Sequence, residues 1–277
     1  MKPNQIILLL FIVTHFSCKP QLSHISEATD NWAESTLKNL SLREKIAQMM
    51  IYRMNIRLKD ISKEKWKDIL DLIEKDGIGG IHFWYGEASS SLIFLNEMQK
   101  KSKIPILIDA DIEYGLNQRF KEGTELMPFM AIAATNKPSN AYEIGKIVAK
   151  ESRALGVHWN FSPVVDVNNN PLNPIINVRS FSEDPDIVSQ YGAEYVRGLQ
   201  EFGMLATAKH FPGHGDTDTD SHYALPQINH PFERLDSLEM YPFKELIDAG
   251  IGGVMVAHLN IPALDSTGVP STLSKSI

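Results

Sequence analysis

The chain has 277 residues, 43% of them hydrophobic, which is enough to bury a full core in one large domain or two small ones. Its formal net charge of −7 provides no basic stripe for a polyanion and argues against nucleic acid as a partner. A single cysteine excludes an intrachain disulfide framework.

The N-terminus runs from Lys2 into the apolar stretch Ile6 to Val13. This has the length of a signal-peptide core and is too short to span a bilayer. An export signal is therefore expected over residues 1–18. Cys18, directly after Ser17, makes the segment resemble a bacterial lipoprotein signal, in which Cys18 would carry the lipid. His15 and Phe16 depart from the small and aliphatic residues usual before that cysteine. An ordinary signal, with Cys18 incidental, is the alternative. The expected location is periplasmic, or membrane-anchored through that lipid alone. Residues 19–30 read as a polar linker and residues 31–277 as the folded domain.

Ser41 and Glu44 have the spacing of a capping box, and the apolar stretch Ile46 to Ile51 is the first strand candidate. Trp66, Ile69, Leu70 and Ile73 then follow the i, i+3, i+4, i+7 rule of an amphipathic helix. Strand-like Gly77 to Phe83 comes next, and after another helical stretch Ile104 to Ala110. A helix from Pro138 to Leu155 leads into strand-like Val157 to Phe161. A helix from Asp184 to near Gly203 leads into Met204 to Ala208. The last unit is a helix ending near Gly250, followed by Ile251 to His258.

Short apolar strands alternating with amphipathic helices predict an α/β fold with a parallel sheet covered by helices. Both an open doubly wound sheet and a (β/α)8 TIM-type barrel fit that alternation. Asp111, Asp166, Lys209, His210 and His258 fall at or just past the ends of different strand candidates, where a barrel collects its active site. No Gly-x-Gly-x-x-Gly turn follows the first strand, as a dinucleotide-binding sheet would require. The expected fold is thus a TIM-type barrel with about six of its eight strands present.

The stretch Lys209 to His222, KHFPGHGDTDTDSH, concentrates three histidines and three aspartates. It has three readings: a metal cage, an acid/base loop, or a solvated polar loop. His210, His214, Asp216 and His222 are suitable metal ligands by type, but Pro212 and the glycines make the segment a loop with no helical His pair. Asp220 and His222 are two apart, so in an extended segment their side chains point the same way. A carboxylate-supported imidazole is a competent general acid and base. Asp111 to Arg119 and Asn177 to Phe181 add directed donors and acceptors suited to sugar hydroxyls in a preformed cleft.

Taken together, Asp111 to Arg119, Arg179 to Pro185, Lys209 to Gly215 and Asp220-Ser221-His222 resemble glycoside hydrolase family 3, most closely its β-N-acetylhexosaminidase branch of the NagZ type. The resemblance runs from about Asn31 to the end. It implies that Asp111, Arg119, Arg179, Lys209 and His210 bind the amino sugar, that His222 is the acid/base, and that Asp220 is its partner. It implies a retaining mechanism without a cofactor, acting on terminal GlcNAc of peptidoglycan fragments or chitooligosaccharides. The family's nucleophilic aspartate follows a segment like Pro270 to Ser274, so it is expected beyond Ile277. Asp265 lies before that segment, where the family has no nucleophile. The 277-residue chain is accordingly expected to be inactive alone. The rival readings are a phosphorylase of the same branch, an inactive carbohydrate-binding module, and a metal-dependent hydrolase.

Overall fold

A computed structural model describes residues 27–54, 60–220 and 222–277. The expected export signal and Cys18 lie outside the described residues. The first helix, α1 (Glu27–Asn39), begins inside the stretch expected as linker. Its Glu, Ala, Leu and Lys residues are strong helix formers, so the polar stretch is helical.

After α2 (Leu42–Gln48), the chain forms β1 (Ile51–Met54), α3 (Lys63–Asp71), β2 (Gly80–Phe83), β3 (Gly86–Glu87) and α4 (Ala88–Lys101). Next come β4 (Leu107–Ala110), β5 (Phe120–Lys121), α5 (Phe129–Ala133), α6 (Pro138–Ala154), β6 (Trp159–Asn160) and α7 (Pro185–Gln200). The last elements are β7 (Leu205–Phe211), the single turn α8 (Phe232–Arg234), α9 (Tyr241–Asp248) and β8 (Gly253–Val256).

Six strands form one parallel sheet in the order β1-β2-β4-β6-β7-β8, and β3 pairs with β5 in a small separate sheet. The large sheet is curled into a half-barrel with helices packed outside it, the barrel-like one of the two arrangements that the alternation allowed.

Several boundaries differ from the sequence reading. Ile46 belongs to α2, and the strand starts only at Ile51. The capping box accounts for this: Ser41 accepts from the Glu44 backbone, and the Glu44 carboxylate accepts from the Ser41 backbone. With both orphan donors satisfied, the helix is nucleated through the apolar run that would otherwise extend the strand. The strand near Val157 is likewise reduced to Trp159–Asn160. β7 instead extends to Phe211, so Lys209 and His210 sit within a strand and not past its end.

Helices α6 and α7 make the closest packing on the outer layer. A Cβ at Gly145 would lie 2.4 Å from the Tyr195 carbonyl oxygen, and one at Gly198 would lie 2.2 Å from that of Tyr142. Glycine at both positions lets the two backbones touch. Helix α7 in turn packs against β7, the strand that carries Lys209 and His210.

Candidate active site

A cavity of about 700 Å³ opens at the C-terminal ends of the strands and is lined by residues of every strand unit. Asp111, Arg119, Arg179, Lys209, His210 and His222 all line it, and Asp220 is reached through His222. The sequence-predicted residues therefore converge, from positions up to 111 residues apart (Asp111 to His222). Glu113, His82, Trp84 and His214 join them on the wall.

The floor is an ion-pair network. Lys209 is buried, and its Nζ lies 2.7 Å from Asp111 Oδ1 and 2.7 Å from Glu113 Oε1. Arg179 donates Nε to Glu113 Oε2 and its second guanidinium nitrogen to Oε1, both at 2.9 Å. This bidentate fork fixes both planes. Burial opposes the charge on Glu113, yet Lys209 and Arg179 outweigh it and hold the carboxyl far below the ordinary glutamate value. Burial likewise works against the Arg179 cation, and Glu113 more than reverses this, raising its pKa.

Two backbone devices build this floor. Gln118 Oε1 accepts from the Glu113 and Tyr114 backbone, and Arg119 Nε donates to the Asp111 carbonyl at 2.8 Å. These bonds fold the segment after β4 back on itself. In β7 the register shifts, with Lys209 opposite Met255 and Phe211 opposite Val256, so His210 is an extra residue. Consecutive side chains of a regular strand face opposite ways. The bulge lets Lys209 and His210 both face the cavity.

His210 is held by Asp166, a residue that the strand-end pattern marks but that alternation alone does not assign a role. Asp166 Oδ2 is 2.7 Å from His210 Nδ1, and Oδ1 accepts from the backbones of His210 at 3.1 Å and His214 at 2.6 Å. Burial pushes against this charge, but His210 and His214 prevail and the Asp166 carboxyl lies below its ordinary value. His214 faces inward: Nδ1 is 2.7 Å from Thr217 Oγ1, and burial lowers its pKa. Asn173 ties the loop down by donating to the carbonyls of His214 and Gly215 at 2.8 and 2.9 Å.

The rim has a different character. His222 Nδ1 lies 2.6 Å from Asp220 Oδ1, which also accepts from the His222 backbone at 2.9 Å. These two contacts hold the Asp220 carboxyl below its ordinary value, the backbone bond contributing most. The His222 side chain is 75% exposed. It stands at the mouth with Nδ1 occupied.

Metal ligation does not bring His210, His214 and His222 together. Among the described residues, the one group of three ligand atoms within 4.8 Å is Asp216, His230 and Glu239. There the Arg234 guanidinium already donates to Glu239 Oε1 at 3.2 Å. Asp265 is occupied within its own loop, accepting from Thr267 and from the Ser274 hydroxyl.

Residues 41–277 match the family described as the glycosyl hydrolase family 3 N terminal domain. The chain belongs to glycoside hydrolase family 3. It is 40% identical over 185 residues to the β-hexosaminidase A of Pseudoalteromonas piscicida, covering 65% of this chain and 31% of that protein. A family 3 β-N-acetylglucosaminidase from Paenibacillus sp. str. FPU-7 superposes with a TM-score of 0.79 at 40% identity, covering 86% of this chain and 45% of that one. A β-glucoside phosphorylase, BglX, bound to 2FGlc superposes with a TM-score of 0.82 at 31% identity, covering 90% and 45%. The chain thus spans less than half the length of each of these three relatives.

Proposed function

We propose that the protein carrying this domain is a retaining β-N-acetylglucosaminidase that releases terminal GlcNAc from peptidoglycan fragments or chitooligosaccharides. The observation that carries this reading is the division of the cavity into a buried, charge-paired floor and an exposed carboxylate–imidazole pair at its mouth. Asp111, Arg119, Arg179, Lys209 and His210 would take the hydroxyls and the N-acetyl group through preformed donors and acceptors, which limits the cost of ordering on binding.

His222 Nε2 would protonate the leaving oxygen and then take a proton from water, with Asp220 stabilising the imidazolium through Nδ1. Attack from the opposite face requires a carboxylate. We assign it to an aspartate following the Pro270–Ser274 segment, beyond Ile277. Export through the N-terminal signal, with Cys18 as lipid attachment site, belongs to the same proposal.

The experiment is an assay of the longest product of the gene on aryl GlcNAc and aryl glucoside substrates, with water and with phosphate as acceptors. Faster turnover of the GlcNAc substrate in water supports the reading. Binding without turnover would favour a carbohydrate-binding role. A second reading, phosphorolysis, is favoured by the histidine at the mouth, since a neutral imidazole repels incoming phosphate less than a carboxylate does. A sugar phosphate as the main product would establish it.

A further inference from the structure

Below the sugar-facing wall lies a further carboxylate–imidazole pair, buried between β2 and β4. His82 and Asp109 are register partners across these parallel strands. His82 is 7% exposed and Asp109 is fully buried. His82 Nδ1 is 2.5 Å from Asp109 Oδ1, and on the far side of the ring Nε2 is 3.5 Å from Asp111 Oδ2. Phe161 stacks on the ring with centroids 5.5 Å apart and planes within 11°. The imidazole thus lies between two carboxylates, in hydrogen-bond contact with Asp109 and 3.5 Å from Asp111.

Ionised carboxylates only accept hydrogen bonds. A neutral ring has one N–H and would turn a bare nitrogen lone pair toward one of the two acids. Asp111 is an acceptor: burial opposes its charge, but Lys209 prevails and keeps its carboxyl below the ordinary value. At Asp109 burial raises the carboxyl, and its Oδ2 has no partner. An Asp109 carboxyl that donates to Nδ1 leaves the ring's N–H on Nε2, 3.5 Å from Asp111 Oδ2.

We propose that His82 is a positioning residue for Asp111: its Nε2–H holds Oδ2 while Lys209 holds Oδ1, and Asp109 fixes the ring. The rotation of the Asp111 carboxylate is then set from both sides before any sugar arrives. This rests on the reading of Asp111 as a hydroxyl acceptor. The consequence is for selectivity, since an acceptor locked in one plane discriminates between hydroxyl configurations better than a mobile one.

The test begins with ¹⁵N NMR of the imidazoles in the full chain at neutral pH, His82 being identified by its loss in His82→Gln. A protonated Nε2 whose shift moves in Asp111→Asn, with Nδ1 little changed, is the expected result. A bare Nε2, or a shift indifferent to Asp111→Asn, would overturn the proposal. Calorimetry with N-acetylglucosamine then compares two variants. His82→Met removes the donor and should weaken binding about tenfold, one hydrogen bond to a charged group. His82→Gln keeps an N–H near Nε2 and should recover most of that loss. Equal losses in both variants would count against positioning. If the unsubstituted chain binds no amino sugar, the sugar reading falls, while the imidazole spectrum still decides the contact between His82 and Asp111.

Discussion

Two histidine–aspartate pairs flank the motif after β7, and they share almost the same contact. Asp166 lies 2.7 Å from His210 and Asp220 lies 2.6 Å from His222, each through Nδ1. Their surroundings differ. Asp166 is fully buried and its histidine side chain 18% exposed, whereas Asp220 is 21% exposed and its histidine 75%. Asp166 also carries two backbone N–H bonds from a strand and its following turn. The inner pair is part of the fold. The outer pair is held mainly by its own three residues and stands open to solvent. Identical chemistry acquires separate roles through burial.

Breaking the inner region should produce the largest change. Asp166→Ala leaves two buried backbone donors and His210 without an acceptor, and Lys209→Met leaves Asp111 and Glu113 short of their shared cation. Each is expected to cost about 3–5 kcal/mol of stability, the range for stripping one partner from a buried charged pair. Urea denaturation measures this. A loss below about 1 kcal/mol in both would mean the floor is more hydrated than its burial implies.

The outer pair should separate chemistry from stability. In the complete protein, the proposed acid/base role predicts that His222→Ala reduces turnover of substrates with poor leaving groups by about 10²–10⁴-fold, the usual contribution of general acid–base catalysis. Activated aryl substrates should lose much less. Stability should change by no more than about 0.5 kcal/mol, as for other exposed positions. Equal losses for both substrate types would remove His222 from the proton-transfer role.

Acid should distinguish the regions next. His214 has its folded pKa lowered below 6.5 by burial, so the unfolded chain takes the proton first and stability declines as pH falls below that value. Glu113 has its folded pKa far below 4.5. Its contribution is complete above 4.5 and is lost only as pH drops further toward the folded value. Urea midpoints across this range should therefore fall in two stages, with the shallower first stage absent in His214→Gln.

The smallest effect is expected at Asp220. Asp220→Asn should alter stability by no more than about 0.5 kcal/mol, but it removes the carboxylate that Nδ1 of His222 contacts. NMR should show displaced ring shifts for His222 relative to the unsubstituted chain. Unchanged ring shifts would mean that the backbone bond alone orients the ring.

Much of this was legible before any coordinates. The alternation of apolar strands and amphipathic helices determined a parallel α/β sheet, because only that packing buries both faces of such strands. The motifs identified the segments that carry Asp111, Arg179, Lys209 and His222. The two-residue spacing determined that Asp220 could reach His222, since that contact is local and depends on backbone geometry alone. Only the tertiary structure decided that Glu113 joins Lys209 to Arg179, that Asp166 anchors His210, and that His82 lies between Asp109 and Asp111. It also decided that Ile46 is helical, where a satisfied cap outcompeted an apolar run. These contacts join residues tens of positions apart, through strand register and a bulge whose placement depends on packing across the whole sheet. A single sequence records which side chains are available; the sheet decides which of them share a proton.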